Sequence, residues 1–259
     1  MKYLWILSLT LLVGCGQDEE IVVPNELDKE VEIGDPYEGM SMKAAVELHI
    51  RREFSIAADQ PIEYQIYQGN CDGDDSLDAV ITVNLLDKAV DEAIKSGKVT
   101  QMADLGYMGN YNFIIYRDGF SGKFSSSKVI PSSPKAKLAI RFEHILTERH
   151  KDIIVEYRIL NAAYCNFYTI VNGQPTQINQ VKLFDGIGTK DAMAFVLNYE
   201  PGMISESRDI VAYEGTFTNP SFKNEDEVYT FIPKITKTSR VHERWFFNPQ
   251  DFKYYLKKE

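Results

Sequence analysis

The sequence predicts an α+β fold: mainly antiparallel β-sheets with a few short covering helices. Stretches of β-branched and aromatic residues with a period of two recur at short intervals between residues 62 and 247. Gly, Asn and Asp turns join them, and Asn172-Gly173 is the strongest hairpin signal, because a two-residue turn needs positive φ at both positions. Helical periodicity is strong only on either side of the polar segment 69–78, which makes the chain α+β instead of all-β.

Taken in order, Ser41 is placed to cap a helix running to about Phe54, its hydroxyl accepting from a first-turn N–H. Met42, Ala45, Val46, His49 and Ile50 share one face, and His49 reads as part of that packing face. From Gln60-Pro61 the period becomes two, with Ile62, Tyr64 and Ile66 on one side of a strand. The run 79–85 is apolar and rich in β-branched residues, as a strand buried on both faces must be. Asp87 is then placed to cap a short helix with Ala89, Val90, Ala93 and Ile94 on one face, and Gly97 stops it. Further strands are expected at 111–116, 137–145, 153–160 and 165–171, and after Pro175. A helical turn or two is expected from Thr189 through Ala194 to Leu197, and strands at 210–213, 228–232 and 241–247. The aromatic tail Trp245, Phe246, Phe247, Phe252, Tyr254 and Tyr255 is expected to close the core; stacking on a sugar ring is its functional alternative.

The chain divides into residues 1–14, 15–38 and 39–259, the last expected to be one β-rich domain. After Lys2, the apolar run from Leu4 to Val13 has the length of a secretory h-region and falls well short of the roughly 20 residues that span a bilayer. Leu12-Val13-Gly14-Cys15 resembles the lipobox of bacterial lipoproteins. That resemblance implies a signal peptide cleaved before Cys15, acylation of the cysteine with chains such as palmitate, and a soluble domain tethered to a membrane. Residues 15–38 carry many acidic side chains and one basic one, Lys29, so the segment reads as an extended spacer. Asp18-Glu19-Glu20 behind the cysteine resembles the surface-export signal of lipoproteins from Bacteroidota. It implies the outer membrane, with the protein on its outer face.

Asn70, Asp72, Asp74, Ser76 and Asp78 fall on every second residue of 70–78. A hard cation such as Ca2+ takes six to eight oxygens at about 2.4 Å, and a tight loop with oxygen donors at this spacing can wrap one. The stretch resembles the calcium loop of FG-GAP and VCBS-type repeats, which leads into a hydrophobic strand. By that resemblance Asn70, Asp72, Asp74 and Asp78 offer side-chain oxygens, Ser76 offers its carbonyl and Cys71 points into the core. Asn70 stands where Asp is usual and Asp75 where Gly is usual. The alternative is a solvated turn built from Asp and Gly for turn chemistry alone.

The formal net charge of −10 argues against nucleic acid and anionic lipid as partners. Besides Cys15, only Cys71 and Cys165 are present, which in an oxidising compartment permits one disulfide or leaves two small buried side chains. Catalytic motifs are lacking: Gly119-Phe120-Ser121-Gly122-Lys123 misses G-x-S-x-G at its last position, and His144, His150 and His242 have no ligand-like spacing. The reading from sequence is a non-enzymatic lipid-anchored envelope protein with a calcium-stabilised binding or structural domain. A surface hydrolase acting on glycans or other extracellular polymers is the alternative, and a passive assembly partner a third.

Overall fold

The computed structural model describes residues 36–98, 100, 108–224 and 226–257; Cys15 and the predicted signal and spacer through residue 35 lie outside them. Helix α1 (Met42–Glu53) begins at Ser41, whose Oγ accepts from the Ala44 N–H at 3.3 Å. Strands β1 (Glu63–Gly69), β2 (Asp78–Asn84), β3 (Asn112–Arg117) and β4 (Lys128–Val129) form an antiparallel sheet in that order. Helix α2 (Leu86–Ser96) follows β2; Asp87 lies inside its first turn instead of capping it, the Leu86 N–H donating to Asn84 Oδ1 at 2.9 Å, and the helix ends at Gly97, whose φ of 66° is the left-handed stop that glycine adopts without strain.

The remaining strands form a second antiparallel sheet in sequence order: β5 (Ala139–Glu143), β6 (Asp152–Ile159), β7 (Ala162–Val171), β8 (Gln174–Asp185), β9 (Met193–Glu200), β10 (Asp209–Thr216), β11 (Thr236–Asn248) and β12 (Lys253–Leu256). The Asn172-Gly173 turn joins β7 and β8, with φ of 51° and 70°. Only Phe184↔Ala194 and Asp185↔Met193 pair β8 with β9. The sheet therefore folds over there, and β9–β12 lie against β5–β8.

Alternation along each strand shows the resulting layers. Val46 and Ile50 of α1 pack on Ala79, Ile81 and Val83 of β2, while Val80, facing the other way, packs on Ile153 and Val155 of β6. Ile154 of β6 and Cys165 and Phe167 of β7 point to the opposite side, against Phe195, Ile210, Trp245, Phe247 and Tyr254. Covered on both faces, β6 and β7 are almost wholly buried. Trp245, Phe247 and Tyr254 thus close the core, whereas Phe252 and Tyr255 stay exposed. His49 stacks on Phe124 at 4.1 Å, within the packing face of α1.

Two further expectations are corrected, and for the cysteines the alternative of two small buried side chains holds. The stretch from Thr189 to Leu197 is not helical: the Thr189 N–H closes a turn on the Gly186 carbonyl, and β9 pairs with β10 from Ala194 to Glu200. Residues 228–232 are not a strand; helix α3 (Asp226–Thr230) occupies this place, with the Glu227 N–H donating to Asn224 Oδ1 and Asn224 Nδ2 to Glu227 Oε1, both at 3.0 Å. Cys71 and Cys165 are free thiols on opposite faces of the β5–β8 layer, so the permitted disulfide is not formed.

Candidate metal centre

The β1–β2 loop is wound by its own side chains. Asn70 Oδ1 accepts from the Gly73 N–H at 3.0 Å, Asp72 Oδ1 from the Asp74 N–H at 3.1 Å, and Asp74 Oδ1 from the Ser76 N–H at 2.6 Å; the Asn70 amide donates to the Asp74 carbonyl. The residue with positive φ is Gly73, at 87°, and not Asp75.

Asp78 sets the position of this loop. It is completely buried; Oδ2 accepts from the Cys71 N–H at 2.7 Å and Oδ1 from the Gly119 N–H at 2.9 Å. One carboxylate thus fastens the β1–β2 loop to the turn after β3. That turn is closed by the Gly122 N–H on the Asp118 carbonyl and the Asp118 N–H on the Lys123 carbonyl, each at 3.0 Å. Gly119 approaches so closely that a Cβ there would lie 2.3 Å from the Leu77 carbonyl oxygen. The stretch that falls short of G-x-S-x-G is this turn.

The outcome is a cluster of three carboxylates. One oxygen each of Asp72, Asp74 and Asp118 lies within 4.8 Å of the others, Asp72 exposed and the other two half-buried. Asp72 is further steadied by the Tyr116 hydroxyl, which donates to Oδ2 at 3.1 Å; Asp118 Oδ1 accepts from the Ser121 N–H at 2.7 Å. Of the predicted ligands, the structure brings together Asp72 and Asp74. Asn70 and Asp78 are engaged in holding the loop, and Asp118 joins the cluster from outside it.

Electrostatics separates these roles. Burial, ahead of the carboxylate of Asp72, pushes the Asp78 carboxyl above its ordinary range, although the two backbone N–H groups and Tyr116 pull it down. Burial first, then the carboxylates of Asp78 and Asp72, raises the hydroxyl of Tyr116; burial and the same carboxylates raise the thiol of Cys71, which is thereby kept neutral and inert. Three carboxylates at neighbouring loop tips supply the oxygen ligands that a hard cation takes.

A third segment leans on the loop. The Lys151 N–H donates to the Asn70 carbonyl at 2.9 Å, and His150 lies beside Gly73. His144 Nδ1 sits 3.1 Å from the His150 carbonyl, and His242 stacks on Phe195 at 4.4 Å. Asp152, completely buried, accepts from the N–H groups of Leu146 at 2.7 Å and Ile145 at 3.2 Å. Burial raises its carboxyl against those bonds. A raised carboxyl means that the fold holds the proton more tightly than the open chain does. The contribution of Asp152 is therefore full below its ordinary value of 3.8 and lost as pH rises through its folded value. Asp152→Asn, uncharged at every pH, is accordingly expected to gain stability relative to wild type between about pH 3 and pH 7. Urea midpoints at the two pH values measure this; a difference that moves the other way contradicts it.

Asp118 stands outside the alternating oxygens of 70–78 and carries no ligand signal in the sequence. Its neighbourhood comes from strand register, since Ala79 pairs with Arg117 and Asp78 and Asp118 are the next residues out. No protein-family model, curated protein or solved structure matches this chain.

Proposed function

We propose that this chain is a lipid-anchored protein of the bacterial cell envelope, with a binding or structural domain stapled by Ca2+ at Asp72, Asp74 and Asp118. The observation that carries the metal assignment is the convergence of three carboxylates from two separate loops within 4.8 Å. A divalent ion there screens their mutual repulsion and ties the β1–β2 loop to the β3 turn, adding RT ln(1 + [L]/Kd) to the stability of the fold. The anchor rests on Leu12-Val13-Gly14-Cys15 and the acidic residues behind it. The place proposed is the outer membrane, facing outward, where a protein or glycan ligand would be met.

Labelling of cells with radioactive or alkynyl palmitate tests the anchor. Wild type is expected to take up label and to fractionate with membranes, and Cys15→Ala to do neither. Label that persists in Cys15→Ala contradicts the assignment. Proteolysis of intact cells tests the outward face, since a periplasm-facing domain would survive it.

A further inference from the structure

We propose that the end of the domain at which the odd-numbered strands finish is a membrane-docking face, which lies on a phospholipid bilayer with its apolar loop tips sunk among the headgroups. The proposal rests on the Cys15 anchor and does not depend on the metal centre. In antiparallel sheets alternate connections lie at one end, and here hydrogen bonds join them into one surface. Asp78 ties the β1–β2 loop to the β3 turn at the Gly119 N–H, and the Lys151 N–H of the β5–β6 loop donates to the Asn70 carbonyl. The Arg208 N–H, closing the β9–β10 loop, donates to the Ile145 carbonyl at 2.8 Å, and the Tyr254 hydroxyl of β12 to the Arg208 carbonyl at 2.7 Å.

Phe120, Ile204, Met203 and Leu77 stand on these loops and are 83 %, 67 %, 65 % and 60 % exposed; Phe252 joins them from the β11–β12 turn. Such positions ordinarily carry the polar residues of turn chemistry. Apolar side chains scattered singly need no explanation, but several on loops fastened to one another mark a membrane or protein interface. Loops held in this way also lose little freedom on docking.

The path of the chain selects the bilayer. Gln68 Nε2 lies 4.0 Å from Met42 Sδ, and the Tyr64 hydroxyl donates to Glu47 Oε1 at 2.7 Å, so α1 starts at this end and runs away from it. The polypeptide that leads from the acylated cysteine thus enters the domain beside the apolar tips. Residues 16–35 separate Cys15 from Pro36, and at about 3.5 Å each they reach about 70 Å at most. Held that near, the tips meet lipid at an effective concentration in the mM range, so shallow insertion of a few side chains is enough. Asp72, Asp74, Asp75 and Asp118 outweigh Lys123, Arg149 and Lys151 on the same loops, which fits zwitterionic headgroups and not anionic ones.

The test is fluorescence quenching by brominated lipid, with full-length acylated protein in phosphatidylcholine vesicles, recovered by flotation, and Ca2+ present throughout. Phe120→Trp carries the reporter at the docking face, and Ile232→Trp, 84 % exposed in the wild type on the β10–β11 crossover, carries it at the opposite end. Each is read as a difference from wild type. Emission from Phe120→Trp is expected to fall about twofold when brominated phosphatidylcholine replaces the ordinary lipid, as for an apolar side chain at the headgroup–acyl boundary, and emission from Ile232→Trp to stay unchanged. Adding Met203→Asp and Ile204→Asp to Phe120→Trp should abolish the fall without moving the melting temperature, since both side chains are exposed. Acylated protein that does not float overturns the anchor and this proposal together. Protein that floats with equal falls at the two ends, or with an undiminished fall in the triple variant, overturns the docking face alone. Floating protein with no fall at position 120 also overturns it and leaves the apolar tips to a protein partner.

Discussion

Asp78→Ala is expected to lower the stability of the domain by about 3–5 kcal/mol, the range reached when a buried hydrogen-bonded hub is broken. Asp78 is fully buried, and its two oxygens accept from the backbone N–H groups of Cys71 and Gly119. Truncation leaves both donors buried without a partner, at about 1–3 kcal/mol each, and opens a void beneath the loop. Relief from desolvating a carboxylate, which burial has already pushed upward, offsets only part of this loss. Asp78→Asn should fall between the two, because one carbonyl oxygen keeps one N–H while the amide group faces the other. Equilibrium urea unfolding measures all three proteins. A loss below about 1 kcal/mol for Asp78→Ala would mean that the loop and the turn are held by something else.

Gly119→Ala should damage stability and the cation site together. The added Cβ would stand 2.3 Å from the Leu77 carbonyl oxygen and 2.6 Å from its carbon, and both are backbone atoms that cannot swing away. The β1–β2 loop and the β3 turn must then separate, at about 1–3 kcal/mol or more by the usual cost of overpacking. The separation draws Asp118 away from Asp72 and Asp74 and lengthens the Asp78 bond to the Gly119 N–H. Cation affinity should drop at least about tenfold, or 1.4 kcal/mol. Gly122→Ala is the control. A Cβ there meets only the end of the Arg117 side chain, at 3.1 Å, so it strains the backbone at φ 71° without forcing the loops apart. Comparing Ca2+ affinity in the two variants by calorimetry distinguishes a specific effect on loop spacing from general loss of stability.

Much of the fold was legible because strands write themselves into sequence as a period of two. β2 and β6 are dense in Ile and Val, and the structure buries both of their faces. The Asn172-Gly173 hairpin followed from turn chemistry alone. The stretch around Ala194 and Leu197 was misread because spacing by three suits a helix, whereas pairing with β10 decides its conformation. α3 was misread for the opposite reason: Val228, Tyr229 and Ile232 suggest a strand, whereas in the structure Asn224 and Glu227 bond reciprocally and start a helix. The fold-over at β8 and β9 left no local signature, as it depends on which strands run out of partners.

The site divides in the same way. Alternating oxygens at 70–78 were visible as a pattern, and Asp72 and Asp74 converge in the structure. That Asp78 turns inward follows from a burial which only the packed sheet establishes. Asp118 enters by register across β2 and β3, a relation between positions about forty residues apart that no local motif records.

The central claim is that Asp72, Asp74 and Asp118 hold a divalent cation that stabilises the domain. Its most direct test is thermal unfolding of EDTA-treated protein with Ca2+ added to about a hundred times its Kd. The account predicts about 2.7 kcal/mol of added stability. For a domain of this size that is a rise of roughly 5–10 °C in melting temperature. The rise should vanish in Asp72→Asn combined with Asp118→Asn. A melting temperature indifferent to Ca2+, or a rise that survives in that double variant, contradicts it.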